Sequence, residues 1–181
     1  MYRESIELLK NHGVVFDKGL SQQELSMIEE IYGFSFPKSL RLFLSSVLPI
    51  SKGFYNWRSL ETENIELIKS VIRNPIDGIY KYADEVEWSD NWGDEPDRVE
   101  KLVAFVRDKL KTAPGLIPVF AHRYMPIDGN DNPIVLSIWG TDVICYGENL
   151  EEYFKIEFGE KDQNCIDFKN ISHVSFWSDL M

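Results

Sequence analysis

The chain has 181 residues, of which 44% are hydrophobic, and these numbers exclude a disulfide-stabilised miniprotein and a disordered chain. Its net charge is −11 and its isoelectric point is about 4.7. This acidity disfavours nonspecific binding to nucleic acid or to an anionic membrane, because proteins bind both polyanions chiefly through Lys and Arg. We therefore expect any charged partner to be basic.

Four helices are predicted in the N-terminal half from apolar residues at helical spacing. The first covers residues 2–11. The second begins at a capping box, in which Ser21 and Glu24 can satisfy each other's backbone amides, and ends at Gly33. The third starts at Pro37 and stops before Pro49. The fourth covers residues 63–73 and is closed by Asn74-Pro75, with a turn predicted over residues 75–78.

Two windows of the sequence account for the net negative charge. Residues 84–97 are predicted to be a loop and hold seven acids and no base: Asp84, Glu85, Glu87, Asp90, Asp94, Glu95 and Asp97. Residues 148–162 hold six acids and two lysines. These windows contribute −7 and −4, which is all of the net −11, and the rest of the chain is neutral.

The C-terminal half changes from a helical pattern to strands. A helix is predicted from Pro96 to Pro114, followed by strands at residues 116–120, 133–139 and 142–146 and a last helix near residues 150–158. Gly140-Thr141 predicts a hairpin between the second and third of these strands. The order of elements predicts a single α+β domain over residues 1–181, and the short hairpin predicts antiparallel pairing of its strands.

The N-terminal region contains the ordered string Leu20-Ser21-x-x-Glu24-Leu25-x-x-Ile28-Glu29-x-x-Tyr32-Gly33-Phe34-x-Phe36-Pro37-x-Ser39-Leu40, followed by Phe43-Leu44. This string resembles the N-terminal signature of the SUKH superfamily. That group includes bacterial immunity proteins of polymorphic toxin systems and a fungal regulator of cell-wall assembly.

Later strings resemble a bacterial branch of the superfamily, so that the resemblance covers residues 18–180. They are Trp57-Arg58, Pro75-x-Asp77-Gly78-Ile79, Trp92-Gly93, Ile117-Pro118-Val119-Phe120-x-His122-Arg123-Tyr124-x-Pro126, Asn132-Pro133-Ile134-x-x-Ser137, Thr141-Asp142-x-Ile144-x-Tyr146-Gly147 and Phe176-Trp177. The resemblance implies a single SUKH-like α+β domain with a twisted antiparallel sheet flanked by helices. It also implies that the domain binds a protein and does not catalyse a reaction. The acidic, tryptophan-bearing insertion or loop at about 84–97 departs from the family pattern.

The acidic loop is the first candidate binding site. Trp88 and Trp92 lie among Asp90, Asp94 and Asp97, and Trp is enriched in interface hot spots while carboxylates attract a basic partner. In the alternative interpretation, both rings fold inward and hold the loop to the domain, leaving only the acids outside. The two interpretations are compatible.

His122, Arg123 and Tyr124 form a second candidate, because they offer a titratable ring, a bidentate guanidinium and a phenol in sequence. Their alternative role is structural, with His122 and Arg123 holding the acidic loop or a strand end by hydrogen bonds. Trp57 and Arg58, which form one of the strings of the resemblance, are also candidate binding residues.

Motifs for catalysis, nucleotide binding or metal binding do not occur in the sequence, so we expect no cofactor and no metal. The acidic start of the chain and the short apolar runs predict a cytoplasmic protein without a membrane span. The leading hypothesis is an immunity protein that occludes a toxin with a basic surface, such as a nuclease. The alternatives are a regulatory or scaffold module that binds a host protein, and an enzyme that acts on a small molecule through the region of His122.

Overall fold

Helices and antiparallel strands make up the computed structural model, which describes residues 2–169 and 171–181. The helices are α1 (Arg3–Asn11), α2 (Gln22–Tyr32), α3 (Lys38–Ser46), α4 (Thr62–Lys81), α5 (Val99–Leu110) and α6 (Leu150–Glu157). The strands are β1 (Phe16–Lys18), β2 (Val47–Pro49), β3 (Leu116–Phe120), β4 (Arg123–Pro126), β5 (Val135–Trp139) and β6 (Asp142–Gly147). The predicted α+β class is confirmed.

The strands form two antiparallel sheets where the sequence predicted one. β1 pairs with β2, while β3, β4, β5 and β6 pair as neighbours in chain order. An isolated bridge between Phe54 and Phe120 connects the loop after β2 to the end of β3. The predicted hairpin at Gly140-Thr141 is confirmed, and Gly140 has a φ of 63°, which glycine adopts at little cost.

The larger sheet has a hydrophobic core on each face, because successive side chains of a strand point to opposite sides. Ile117 of β3 and Met125 of β4 pack in a cluster with residues of α1, α2 and α3. Their neighbours Leu116 and Tyr124 pack in a second cluster with residues of α5 and of the C-terminal region. Trp92 belongs to this second cluster, so the acidic window is attached to that side of the sheet.

Helix α2 begins and ends as predicted from local signals. The Ser21 hydroxyl accepts a hydrogen bond from the Glu24 amide at 3.2 Å, and the Glu24 carboxylate accepts one from the Ser21 amide at 2.7 Å. Gly33 follows the helix with a φ of 71°. These signals act within a few residues, which is why the sequence contains them.

Helix α4 corrects the sequence prediction, because it continues through Pro75 to Lys81 instead of ending at Asn74. The predicted turn over residues 75–78 is therefore wrong. A proline within a helix leaves the carbonyl four residues earlier without its amide donor, at a cost of about 3 kcal/mol. Here the Tyr124 hydroxyl donates to that carbonyl, on Val71, at 3.3 Å. Pro75 is itself buried, so its ring contributes to packing.

Two further helix boundaries and three short strands differ from the prediction. Helix α5 begins at Val99 and not at Pro96, with Arg98 as its extended N-cap residue. Helix α3 ends at Ser46, because residues 47–49 form β2. The strands β1, β2 and β4 were not predicted, since with three or four residues each they are too short to give a clear alternating pattern.

Candidate functional site

The acidic window connects α4 to α5 and contains a single 3₁₀ turn at Asp90–Trp92. All seven of its carboxylate side chains belong to exposed residues. None of them forms a salt bridge with any residue in the ranges 2–169 and 171–181. We call residues 84–97 the acidic segment. Its charge is therefore presented to solvent without neutralisation.

Two tryptophans fix the acidic segment to the domain. Trp92 is 9% exposed, and its indole N–H donates to the Asp179 carboxylate at 2.9 Å. Trp88 is half-buried, donates to the Gly93 carbonyl at 2.8 Å and packs on the ring of Phe105 with a centroid distance of 4.9 Å. Both rings thus face inward, as the structural alternative predicted, while Asp90, Asp94 and Asp97 remain outside.

Asp179, in the 3₁₀ turn Trp177–Leu180, is the polar anchor of the segment. Burial disfavours its charged form, but hydrogen bonds from Trp92, His173 and Asn91 bring its pKa below the usual range. The Asn91 amide donates at 3.1 Å, and the His173 ring lies 3.2 Å away. Asp179 is therefore a carboxylate at neutral pH, and it connects the acidic segment to the C-terminal turn.

A cavity of about 470 Å³ lies between the acidic segment and the C-terminal turn. Its lining includes Glu87, Trp88, Asp90, Asp179 and Met181. The cavity therefore combines an indole with carboxylates.

The second acidic window differs because it contains its own bases. Lys161 donates to Glu148 at 2.7 Å and to Glu152 at 2.9 Å, and Lys155 donates to Glu152 at 2.7 Å. Hydrogen bonds from Lys155 and Lys161 lower the pKa of Glu152. We call residues 148–162 the paired segment. Two of its carboxylates are therefore paired with lysines of the same segment.

Arg123 and Tyr124 have structural contacts. Arg123 is 9% exposed; it donates to Glu157 at 3.0 Å and to the Ser137 hydroxyl at 3.1 Å. Tyr124 donates to α4, as described above, and burial raises its pKa to about 12. Both residues thus connect the sheet to helices, and the hydrogen-bond partners of Arg123 lie outside the acidic segment.

Trp57 and Arg58 connect the N-terminal elements. Trp57 is 3% exposed and packs edge-on against Phe36, with a centroid distance of 5.3 Å. Arg58 donates to Glu24 at 2.7 Å and to Asp17 at 2.6 Å. The hydrogen bond from Arg58 is the main reason that the pKa of Glu24 falls to about 2. This pair therefore joins β1 to the start of α2.

His122 faces a second cavity, of about 410 Å³, between α4 and the β5–β6 hairpin. We call this cavity the aromatic groove. Its lining includes Tyr55, Val71, Pro75, His122, Tyr124 and Trp139. An enzyme site built from His122, Arg123 and a carboxylate would need all three groups at one pocket, and neither Arg123 nor a carboxylate lines the groove.

Trp139 is the surface residue that the sequence analysis missed. It is 74% exposed and lies at the end of β5, beside the Gly140-Thr141 turn. Its predecessor Ile138 is buried, at 4% exposure. Strand alternation could not reveal it, because residues 135–138 are all buried and the sheet has a core on both faces. The available signal was the adjacent Gly140-Thr141 turn, which makes Trp139 the last residue of its strand.

The described part of the chain contains neither a candidate metal site nor a helix that could span a membrane. Residues 2–169 and 171–181 contain no group of three or more His, Cys, Asp or Glu side chains that could hold a metal ion. No helix within these ranges combines the length and the apolar character that crossing a membrane requires.

In comparisons with known proteins, no family model, curated protein or solved structure matches this chain.

Proposed function

We propose that this chain is a protein-binding domain that neutralises a basic toxin by occlusion, with the acidic segment as part of its interface. The observation that carries the proposal is the seven exposed carboxylates of residues 84–97, which have no salt-bridge partner in the described ranges. The resemblance of residues 18–180 to the SUKH superfamily supports the immunity role. It implies binding without catalysis.

The electrostatics of the acidic segment favour fast association with a cationic surface. Exposed charges of one sign attract a partner of opposite sign before contact and raise the association rate, and this effect falls with added salt. A nuclease fits such a partner, because its own site must attract a polyanion. Carboxylates placed over that site compete directly with the phosphates of the substrate.

The anchoring of the segment reduces the cost of binding. Ordering a loop costs about 1–2 kcal/mol per residue in backbone entropy, and a loop that is flexible before binding incurs this cost in the complex. Trp92 and Asp179 already hold the segment in the free protein. The carboxylates are therefore presented in a fixed arrangement, which favours recognition of one partner over unspecific attraction.

Occlusion needs only a sufficient interface, of about 1,600 Å² in total, and no catalytic residue. The acidic segment supplies part of that area. The cavity between the segment and the C-terminal turn offers a place for a basic side chain of the partner, since Glu87, Asp90 and the indole of Trp88 line it.

Co-expression with basic toxins, including any toxin-like protein that a neighbouring gene encodes, tests the proposal. We expect rescue of growth and a stoichiometric complex of the purified proteins. Toxicity that persists, with no complex, would refute the immunity role. A complex without rescue would also contradict neutralisation and would favour the regulatory or scaffold alternative.

A further inference from the structure

The aromatic groove lies next to a tryptophan that the fold leaves in solvent. Of the five tryptophans, all within the described ranges, Trp57, Trp92 and Trp177 are buried and Trp88 is half-buried, whereas Trp139 is 74% exposed. The ring of His122 meets that of Trp139 edge to face, with a centroid distance of 5.6 Å. An exposed indole at the mouth of a cavity is a typical anchor for a partner residue.

The two walls of the groove are held in place. Helix α4 and the hairpin tip approach closely, since a Cβ on Gly78 would lie 3.5 Å from the Gly140 carbonyl oxygen. Ala121, which also lines the groove, adopts a φ of 46°, a left-handed conformation that is strained for an alanine. The Ala121 amide donates to the Gly53 carbonyl at 2.7 Å, and its carbonyl accepts from the Tyr55 hydroxyl. These bonds fix the turn that carries His122.

The groove is suited to a cation because its lining is aromatic and lacks positive charge. Tyr55, Tyr124 and Trp139 line the groove with aromatic side chains, of which Trp139 is the exposed one, and neither Lys nor Arg lines it. Burial, followed by the charge of Arg123, lowers the pKa of His122, which favours the neutral form of its ring. The lining residues therefore carry no positive charge that would repel a cation in the groove.

One exposed aspartate belongs to each of the two elements that form the walls, and neither aspartate lines the groove itself. Asp142 pairs with Trp139 in the β5–β6 register, and residues directly opposite each other in an antiparallel pair project from the same face. Asp77 precedes Gly78 on α4. Both aspartates are exposed, and neither forms a salt bridge within the described ranges.

We propose that the aromatic groove binds an arginine side chain of the basic partner, with the guanidinium stacked on Trp139 and within reach of Asp142. Arginine fits better than lysine because its planar guanidinium stacks on aromatic rings and pairs with a carboxylate through two hydrogen bonds. This inference rests on the proposed function for the identity of the partner. It adds a second contact surface, on the α4–hairpin side, to the acidic segment.

A titration with a single amino-acid derivative tests the groove without the partner. The ¹⁵N-labelled protein is titrated with N-acetyl-arginine methylamide while the indole N–H signal of Trp139, assigned through Trp139→Phe, is followed by NMR. The matched probe is N-acetyl-citrulline methylamide, which has nearly the same shape without the charge. We expect a saturable shift with the arginine compound and binding about fivefold weaker with the citrulline compound.

Variants separate the groove from general surface effects. In Trp139→Ala, the arginine compound should no longer shift the backbone amide signal of His122. In Asp142→Asn, its binding should be two- to fivefold weaker. Phe168→Ala, which removes an aromatic side chain of a residue that is 60% exposed elsewhere on the surface, should leave it unchanged. Equal responses to both probes, or no response at all, would overturn the arginine site.

The same measurements distinguish failure of the groove from failure of the proposed function. Reversing Asp90, Asp94 and Asp97 to Lys should leave the arginine response of Trp139 intact, since these residues do not line the groove. If the chain neutralises a toxin but shows no preference for the charged probe, only the groove inference fails. A charge-selective response in a chain that neutralises no toxin supports the groove and rejects the immunity role.

Discussion

The acidic segment and the paired segment are both rich in carboxylates, yet only the second contains bases. In the paired segment, Lys161 lies between Glu148 and Glu152, at 2.7 and 2.9 Å, and the three side chains are largely shielded from solvent. In the acidic segment, apolar rings and one aspartate of another element supply the anchors, and the local carboxylates remain in water. Acidic composition therefore supports the fold in one region and leaves charge available for binding in the other.

This comparison explains why net charge alone did not identify a site. The two windows together account for all of the −11, but the carboxylates with basic partners are less available to another molecule. What distinguishes the acidic segment is the combination of buried anchors with unpaired charge. Trp92→Ala removes an anchor of the acidic segment, whereas Lys161→Met removes salt bridges of the paired segment.

The largest effect is expected from Trp92→Ala. The substitution leaves a cavity beside Phe105 and Phe176 and removes the hydrogen bond to Asp179, so the free energy of unfolding should fall by about 3–5 kcal/mol. Urea unfolding measures this loss, and limited proteolysis should show earlier cleavage within residues 84–97. Trp139→Ala is the matched control, because its exposed ring should change stability by no more than about 0.5 kcal/mol. Equal losses in the two variants would contradict the anchoring role.

A smaller effect is expected from Lys161→Met, which removes the base of the paired segment. Glu148 and Glu152 would then be partly buried without this partner, and stability should fall by about 1–2 kcal/mol. The control is Lys111→Met, whose salt bridge with Asp108 is exposed and should contribute less than about 0.5 kcal/mol. If both variants unfold at the wild-type urea concentration, the paired segment does not stabilise the fold through its charges.

The paired segment should also make stability depend on acid pH. The pKa of Glu152 is lowered in the folded protein by hydrogen bonds from Lys155 and Lys161, so this carboxylate stabilises the fold above its unfolded pKa of 4.5. The contribution is lost as the pH falls through the lower folded pKa. Unfolding measured from pH 6 down to pH 3 should therefore show a smaller loss of stability in Lys161→Met than in the wild type. An identical pH dependence in the two proteins would exclude Lys161 as the cause.

Local signals in the sequence predicted those elements whose causes lie within a few residues. The Ser21 and Glu24 capping box and Gly33 predicted both ends of α2, because capping depends on adjacent backbone groups. Pro75 led to a wrong boundary because the group that compensates for it, the Tyr124 hydroxyl, belongs to a distant strand. Tertiary contacts of this kind cannot be recognised from the proline alone.

The candidate site was predicted in part for the same reason. Charge counting located the acidic segment, and the inward orientation of Trp88 and Trp92 was one of two predicted alternatives. The aromatic groove was not predicted, because it is formed by residues of α4, the loop after β2, two turns and two strands that come together only in the fold. Asp179, which holds the segment, was missed because it lies 87 residues from Trp92 in the chain.

The association rate with the toxin-like partner at several salt concentrations tests the role of the acidic segment most directly. The wild type is compared with a variant in which Asp90, Asp94 and Asp97 are reversed to Lys. The control reverses the exposed residues Glu7, Glu30 and Glu160 to Lys, which gives the same change in net charge elsewhere. We predict an association rate at low salt that is at least about tenfold lower for the first variant, with a weaker salt dependence, and a much smaller change for the control. Equal rates for the two variants would contradict a specific role of residues 84–97 in binding.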